Sequence, residues 1–238
     1  MLKAAINGIR KKSVHPNIPV TDSEILNDIK SSLKAGADAI HFHVRDKEGN
    51  ESLFTEDLNR IFSLLRKELP YAKLGISTGE WILPDSKKRI EVIKSWEMLP
   101  DFVSVNFDEE AAEEIAEILF KKNIGVEAGI SFPDEAEKFV KSKIAERCLR
   151  ILIEPIEQDI TEAEKNINEI ELILNKSNNS IPRLLHGFDK IVWDLIKISV
   201  IKGYSTRVGL EDTLTLPDGK IANSNAELVR EAIKILNK

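Results

Sequence analysis

Short apolar, β-branched runs alternate with charged amphipathic segments from one end of the chain to the other. The runs lie near Lys3 to Asn7, Ala39 to Val44, Lys73 to Ser77, Phe102 to Asn106, Gly125 to Ile130, Leu149 to Glu154, Arg183 to His186 and Ser205 to Gly209. Each is followed by a segment with helical spacing of its apolar residues, so the pattern predicts strand then helix, repeatedly. Thr21-x-x-Glu24, Thr161-x-x-Glu164 and Ser224-x-x-Glu227 match the capping box, in which two side chains satisfy free backbone N–H groups at a helix start. Gly36 and Gly203 follow helical runs, where a left-handed cap is wanted. Strict alternation argues for a parallel sheet. About eight β/α units in 238 residues predict an α/β chain folded as a single (β/α)8 TIM barrel over 1–238. An open doubly wound sheet competes, but no Gly-x-Gly-x-x-Gly follows the first strand. The polar segment Asn175 to Ser180 reads as a surface loop, and no linker or fixed repeat period divides the chain.

Composition narrows the function classes. With 42% hydrophobic and 31% charged residues, the chain can build a core without disulfide staples. Cys148 is the only cysteine, which excludes internal disulfides. Net charge is -6 with acids and bases mixed, which argues against nucleic-acid binding through a basic face. No apolar run approaches the ~20 residues needed to span a bilayer, and the N-terminal run is too brief for a signal peptide. A soluble cytoplasmic protein with no membrane partner is therefore expected.

A barrel places catalytic groups at the C-terminal ends of its strands. The unusual polar residues fall there: Asn7, His41, His43, Arg45, Asp46, Ser77, Thr78, Ser104, Asn106, Glu127, His186, Arg207, Glu211 and Asp212. His41 and His43, spaced i, i+2 on a strand, point the same way. With a carboxylate from elsewhere they have the ligand types of a catalytic zinc site. Two hydrogen-bonded pocket histidines are the plainer alternative. Of the adjacent Glu211 and Asp212, one can bind metal while the other pairs or acts as a base; an acidic loop is the alternative. Arg207, inside the last strand, suits a carboxylate, phosphate or catalytic acid, or else is a surface charge. Arg45 and Asp46 can pair with each other. Ser77, Thr78, Ser104 and Asn106 offer donors to a polar ligand, or serve turns. Glu127 inside a barrel strand needs a partner. His186 has a capping or pocket role, Cys148 is a small buried hydrophobe, and Trp81, Trp96 and Trp193 are packing residues, with Trp81 also placed to wall a pocket.

Together these motifs resemble the β-keto acid cleavage enzyme family, whose founding activity is 3-keto-5-aminohexanoate cleavage. The resemblance rests on Ala4-Ala5-Ile6-Asn7-Gly8, Pro19-Val20-Thr21, Ala35-Gly36-Ala37 through His41-Phe42-His43-Val44-Arg45-Asp46 with Gly49, Ile76-Ser77-Thr78-Gly79, Arg207-Val208-Gly209-Leu210-Glu211-Asp212, and Asn223-Ser224-Asn225-Ala226. It implies a (β/α)8 barrel holding Zn2+ through His41, His43 and Glu211. It implies Asp212 as base, paired with Arg207. Ser77, Ser104 and Asn106 would hold the substrate carboxylate or lie beside it, and Glu127 would be a pocket acid. The implied reaction joins a β-keto acid to acetyl-CoA and splits the adduct to acetoacetate and a new acyl-CoA. The resemblance also suggests a homotetramer.

Departures refine this. Arg10 stands where the founding activity has a glutamate that recognises the substrate amine, so a neutral or anionic keto acid is expected. The loop Asn106-Phe107-Asp108-Glu109 is short, and Glu154-Pro155-Ile156-Glu157 lacks the family's glycine-rich run. A coenzyme-free metal-dependent C–C lyase, class II aldolase-like, is thus the second reading. A non-catalytic metal-dependent binding protein is the third.

Overall fold

The eight apolar runs pair in chain order and close on themselves. A computed structural model describes residues 1–237. Its strands are β1 (Leu2–Ala5), β2 (Ala39–Phe42), β3 (Leu74–Ser77), β4 (Phe102–Asn106), β5 (Gly125–Ile130), β6 (Arg150–Ile153), β7 (Arg183–Leu185) and β8 (Ser205–Val208). All neighbours are parallel, and β8 pairs with β1 to complete the barrel. The helices are α1 (Asp22–Lys34), α2 (Thr55–Glu68), α3 (Ser86–Lys94), α4 (Ala112–Lys121), α5 (Pro133–Lys141), α6 (Ile160–Lys176), α7 (Val192–Lys202) and α8 (Asn225–Leu236). The expected (β/α)8 TIM barrel is the observed architecture, with strand ends within two residues of those expected. Among the described residues, no helix is long and apolar enough to cross a membrane.

Helix starts follow local chemistry. Thr21 accepts from Glu24 N at 3.3 Å, and Glu24 accepts from Thr21 N at 3.0 Å, completing the capping box. Ser224 caps α8 through Glu227 N, but Glu227 turns to Asn223 N instead of the cap's own N–H. The box expected at Thr161 does not form. Asp159 caps α6, accepting from Thr161 N at 2.9 Å and Glu162 N at 3.2 Å. An aspartate two residues upstream is the stronger cap and draws the helix start back. α6 then runs to Lys176, so the expected loop at Asn175 begins inside a helix. Gly203 closes α7 with φ +69°, a conformation that favours glycine.

The barrel interior contains a buried ion cluster. Lys3 Nζ donates to Glu127 Oε2 at 2.6 Å with both side chains fully buried, and Arg150 Nε lies 3.1 Å from Glu127 Oε1. Burial pulls the Lys3 ammonium below its usual range, and Glu127 opposes this. Trp96 and Trp193 are buried packing residues, each with its indole N–H bonded to a backbone carbonyl. Cys148 is buried as expected, and burial pushes its thiol up to about 12.

On the outside, α1, the β1–α1 loop and α8 enclose a groove of about 710 Å³. Asp28 faces it, and burial pushes its carboxyl up to about 6 against hydrogen bonds from Asn225 and Ser32. The unfolded chain titrates near 3.9, so the folded state holds the extra proton between about pH 4 and 6. Asp28's contribution is therefore fully present below about pH 4 and lost as pH rises through about 6. Asp28→Asn is expected to stabilise the protein at pH 7.5 by about 1–2 kcal/mol, discounted for partial exposure, and to leave stability at pH 4 unchanged. Urea unfolding at both pH values checks this; an equal change at both would refute it.

Candidate metal and acid–base site at the barrel mouth

His41 lies on β2 and His43 one residue past its end, so both imidazoles face the barrel mouth. Their backbone is held by Asn7, which accepts from His43 N at 2.8 Å and donates to His43 O at 3.0 Å. The third group arrives from beyond β8. Asn225 fixes that segment by donating to Ile6 O at 2.8 Å and accepting from Leu210 N at 2.6 Å. Glu211 then packs over Gly8. A Cβ at Gly8 would stand 2.4 Å from Glu211 Cγ, and φ there is +53°, so glycine is required twice over.

Glu211 Oε1 lies 3.6 Å from His41 Nε2 and 3.7 Å from His43 Nε2. One ligand atom from each of the three residues falls within 4.8 Å of the other two. Glu211 Oε2 is buried with no hydrogen-bond partner among the described residues. Burial, reinforced by the Arg207 charge, holds the His41 pKa well below its ordinary value, so the imidazole is neutral and its lone pair free. Two imidazole nitrogens and a carboxylate with one unpartnered oxygen fit a divalent ion with a position left open for substrate.

Beside this cluster Arg207 binds two carboxylates. Nη2 reaches Asp212 Oδ1 at 2.6 Å and Glu211 Oε1 at 3.1 Å, while Nε bonds both Asp212 oxygens at 3.1 and 3.2 Å. Asp212 is fully buried. Burial raises its pKa above that of an ordinary aspartate, and Arg207 opposes the rise. His186, also buried, lies 3.1 Å through Nε2 from Glu154 Oε2.

A cavity of about 610 Å³ opens above these groups at the C-terminal ends of the strands. Of the residues given a catalytic, substrate-binding or metal role from sequence, His41, His43, Glu211, Arg207, Ser77, Ser104, Asn106 and Arg10 line it. Three do not. Thr78 donates to Ser104 O at 2.9 Å and ties β3 to β4. Asp212 sits behind Arg207. Glu127 is drawn into the ion cluster with Lys3 and Arg150, because a buried carboxylate settles on the cations that can neutralise it. Asn106 donates to Glu109 Oε1 at 3.2 Å, and burial pushes Glu109 up to about 7 despite Arg89 at 3.0 Å.

Two expected roles change. Arg10 donates to Asp189 Oδ1 at 2.6 Å and to Glu211 O at 3.1 Å, so its charge is largely answered within the protein. Arg45 and Asp46 do not pair. Arg45 bonds the carbonyls of Gly8 and Arg10, while Asp46 accepts from Glu48 N and Asn50 N in its own turn. Residues not singled out from sequence also reach the mouth. Glu51 Oε1 contacts His43 Nδ1 and accepts from Trp81 Nε1 at 3.2 Å. Asp189 and Glu154 line the cavity. Glu154 ends β6 in the same way as the polar residues that were singled out, so its signal was present. Glu51 lies beyond a strand end, and only the chain's reversal brings it back.

Comparison with known proteins identifies the family and the fold. The family model described as beta-keto acid cleavage enzyme matches residues 1–150 and 160–238. The chain is 25% identical to the 3-keto-5-aminohexanoate cleavage enzyme of Fusobacterium nucleatum, over 99% of this chain and 90% of that enzyme. It is 26% identical to the enzyme of the same name from Acetoanaerobium sticklandii, over the same shares. A shorter match, 30% identical over 80 residues, covers 33% of this chain and 28% of the 3-oxoadipate:acetyl-CoA acetyltransferase of Cupriavidus necator. Among solved structures, ObcA in binary complex with oxaloacetate shares the fold with a TM-score of 0.73 at 18% identity. That match covers 92% of this chain and 63% of ObcA, so the chain spans under two thirds of ObcA's length. With a family match over almost all of its length and the histidine pair, carboxylate and arginine gathered at one barrel mouth, the chain belongs to the beta-keto acid cleavage enzyme family.

Proposed function

We propose that this enzyme cleaves a β-keto acid with acetyl-CoA, giving acetoacetate and an acyl-CoA, with Zn2+ held by His41, His43 and Glu211. The observation that carries the reading is the convergence of those three ligands beside the Arg207–Asp212 pair. Zn2+ held there would supply Lewis-acid polarisation of a ketone oxygen. Asp212, which reaches the cavity past Arg207, is the base for the proton on the carbon between ketone and carboxylate, and burial raises its pKa above that of an ordinary aspartate. Arg207 holds Asp212 and Glu211 in one orientation. Ser77, Ser104 and Asn106 line the β3–β4 wall and offer donors to the substrate carboxylate.

A keto acid with a neutral side chain fits best. Arg10 is answered by Asp189, and burial pushes the carboxyls of Glu135 and Glu154 on the opposite wall towards the neutral form. Ile9, Val14, Trp81 and Ile156 are exposed at the cavity's edge, an apolar lip suited to an uncharged group. A homotetramer is carried with the family reading, and light scattering after size-exclusion chromatography tests it.

The decisive assay incubates Zn2+-loaded enzyme with acetyl-CoA and neutral, anionic and cationic β-keto acids, with products read by mass spectrometry. Acetoacetate with a matching acyl-CoA supports the reading. Keto acid loss without acyl-CoA points instead to a coenzyme-free lyase, and no turnover with any member refutes both. His43→Ala should lower bound zinc to less than about a tenth of wild type, since losing a ligand exceeds the loss from an outer-shell partner. Circular dichroism should stay that of a barrel, because the apolar core is built without the ion. Full zinc content in that variant, by plasma mass spectrometry, would remove the proposed site.

A further inference from the structure

We infer that Glu51 is a positioning residue for the metal centre, holding the His43 ring so that Nε2 faces the ion. The inference rests on the metal reading of His41, His43 and Glu211. The local chain explains how a residue eight positions after His43 comes back to it. Asp46 accepts from Glu48 N at 3.0 Å and Asn50 N at 2.8 Å, and Gly49 turns with φ +86°. Asp46 N then bonds Asn50 O at 2.8 Å and Ser52 N bonds Val44 O at 3.0 Å, so the loop folds back antiparallel along the end of β2. Arg45 and Glu51 become bridge partners. Residues paired this way share a face, as do His43 and Arg45 at i, i+2. Glu51 is thereby delivered to the His43 ring.

The two ring nitrogens of His43 have different partners. Nδ1 contacts Glu51 Oε1, whereas Nε2 faces Glu211 Oε1 at 3.7 Å. A carboxylate accepting from Nδ1–H keeps the proton on that nitrogen and leaves Nε2 with a free lone pair. It also makes the imidazole a stronger donor to a cation. Glu51 is itself anchored. Trp81 Nε1 donates to the same oxygen at 3.2 Å, and the Trp81 ring stacks near His43 with centroids 6.3 Å apart. Glu51 is not among the residues whose ligand atoms converge, so it acts through His43 and not on the ion. His41 has no such support, because its Nδ1 is buried without a partner among the described residues. One histidine of the pair is thus fixed in orientation by an acid, while the other is held only by the strand and its packing.

The test is titration of metal-free protein with Co2+, followed through its visible d–d absorption, in wild type, Glu51→Gln, Glu51→Ala and Trp81→Phe. Glu51→Ala should bind Co2+ about 10–100-fold more weakly and change the band shape, since the His43 ring can rotate. Glu51→Gln keeps an amide oxygen able to accept from Nδ1–H and should recover part of the affinity. If Glu51 served only to anchor Trp81, Trp81→Phe would weaken binding as much as Glu51→Ala; the inference expects a smaller loss. Equal affinity and spectra in wild type and both Glu51 variants would overturn it while leaving the metal site standing. Failure of the wild type itself to take up Co2+ would overturn the metal reading as well. Should Glu51→Ala lose its fold by circular dichroism, Glu51→Gln decides alone, and a wild-type titration curve for it refutes the inference.

Discussion

Replacing Asp212 with asparagine should lower turnover by about 10²–10⁴-fold while metal content stays at the wild-type level. The side chain keeps its size, and its Oδ1 can still accept from Arg207, so the barrel should close as before. What is lost is the negative charge and the ability to take a proton. Asp212 is buried, and its access to the cavity runs past Arg207, which bridges it to Glu211. Two roles are therefore separable. As a base, Asp212 removes a proton from the substrate carbon; as a support, it only orients Arg207. Exchange of that proton with deuterated water, followed by NMR with keto acid alone, distinguishes them. Loss of exchange together with turnover supports the base. Retained exchange with lost turnover would reduce Asp212 to a positioning role for Arg207.

Removing the Glu127 carboxylate should have the largest effect on stability. Glu127→Ala leaves the Lys3 ammonium fully buried without its anion. Breaking a buried pair from one side typically costs about 3–5 kcal/mol, because one charge remains without compensation. Arg150 is partly exposed and can turn to water, but Lys3 cannot. Replacing both partners, as in Lys3→Met with Glu127→Leu, should restore most of the loss, since apolar groups of similar volume need no desolvation there. Urea unfolding of the single and double variants measures both. A single variant within about 1 kcal/mol of wild type would mean that Lys3 finds another partner or is already neutral, in keeping with the downward pull on its pKa.

The same residue shows what reading the chain alone leaves open. A carboxylate on a barrel strand was expected to need a partner, and Glu127 has two, Lys3 and Arg150, inside the barrel, where the family resemblance implied a pocket acid. Lys3 is 124 residues away, within the apolar strand β1. Nothing local in either segment announces the other. Arg10 is similar, because its charge suggested a neutral or anionic substrate, and its pairing with Asp189, which spans 179 residues, favours the neutral one of the two. Arg45 and Asp46 are adjacent yet point to different partners, which their neighbourhood in sequence concealed.

By contrast, the alternation of apolar runs and amphipathic segments was enough to determine the order of strands and helices, and hence the barrel. Strand and helix formation depend on periodicity within a window of a few residues, which the chain carries locally. The histidine pair was legible for the same reason, since i, i+2 spacing on a strand sets a shared direction before any tertiary contact exists. Barrel closure then decided the rest. It brought Glu211 to within 4 Å of both imidazoles, shut Asp212 behind Arg207, and turned Glu127 inward to meet Lys3. It also gave Glu51 a place at His43, through a turn whose glycine and aspartate were visible but whose destination was not. Which charges meet is a property of the closed barrel, because burial makes an unpartnered charge costly and only the closed structure determines which groups are buried together.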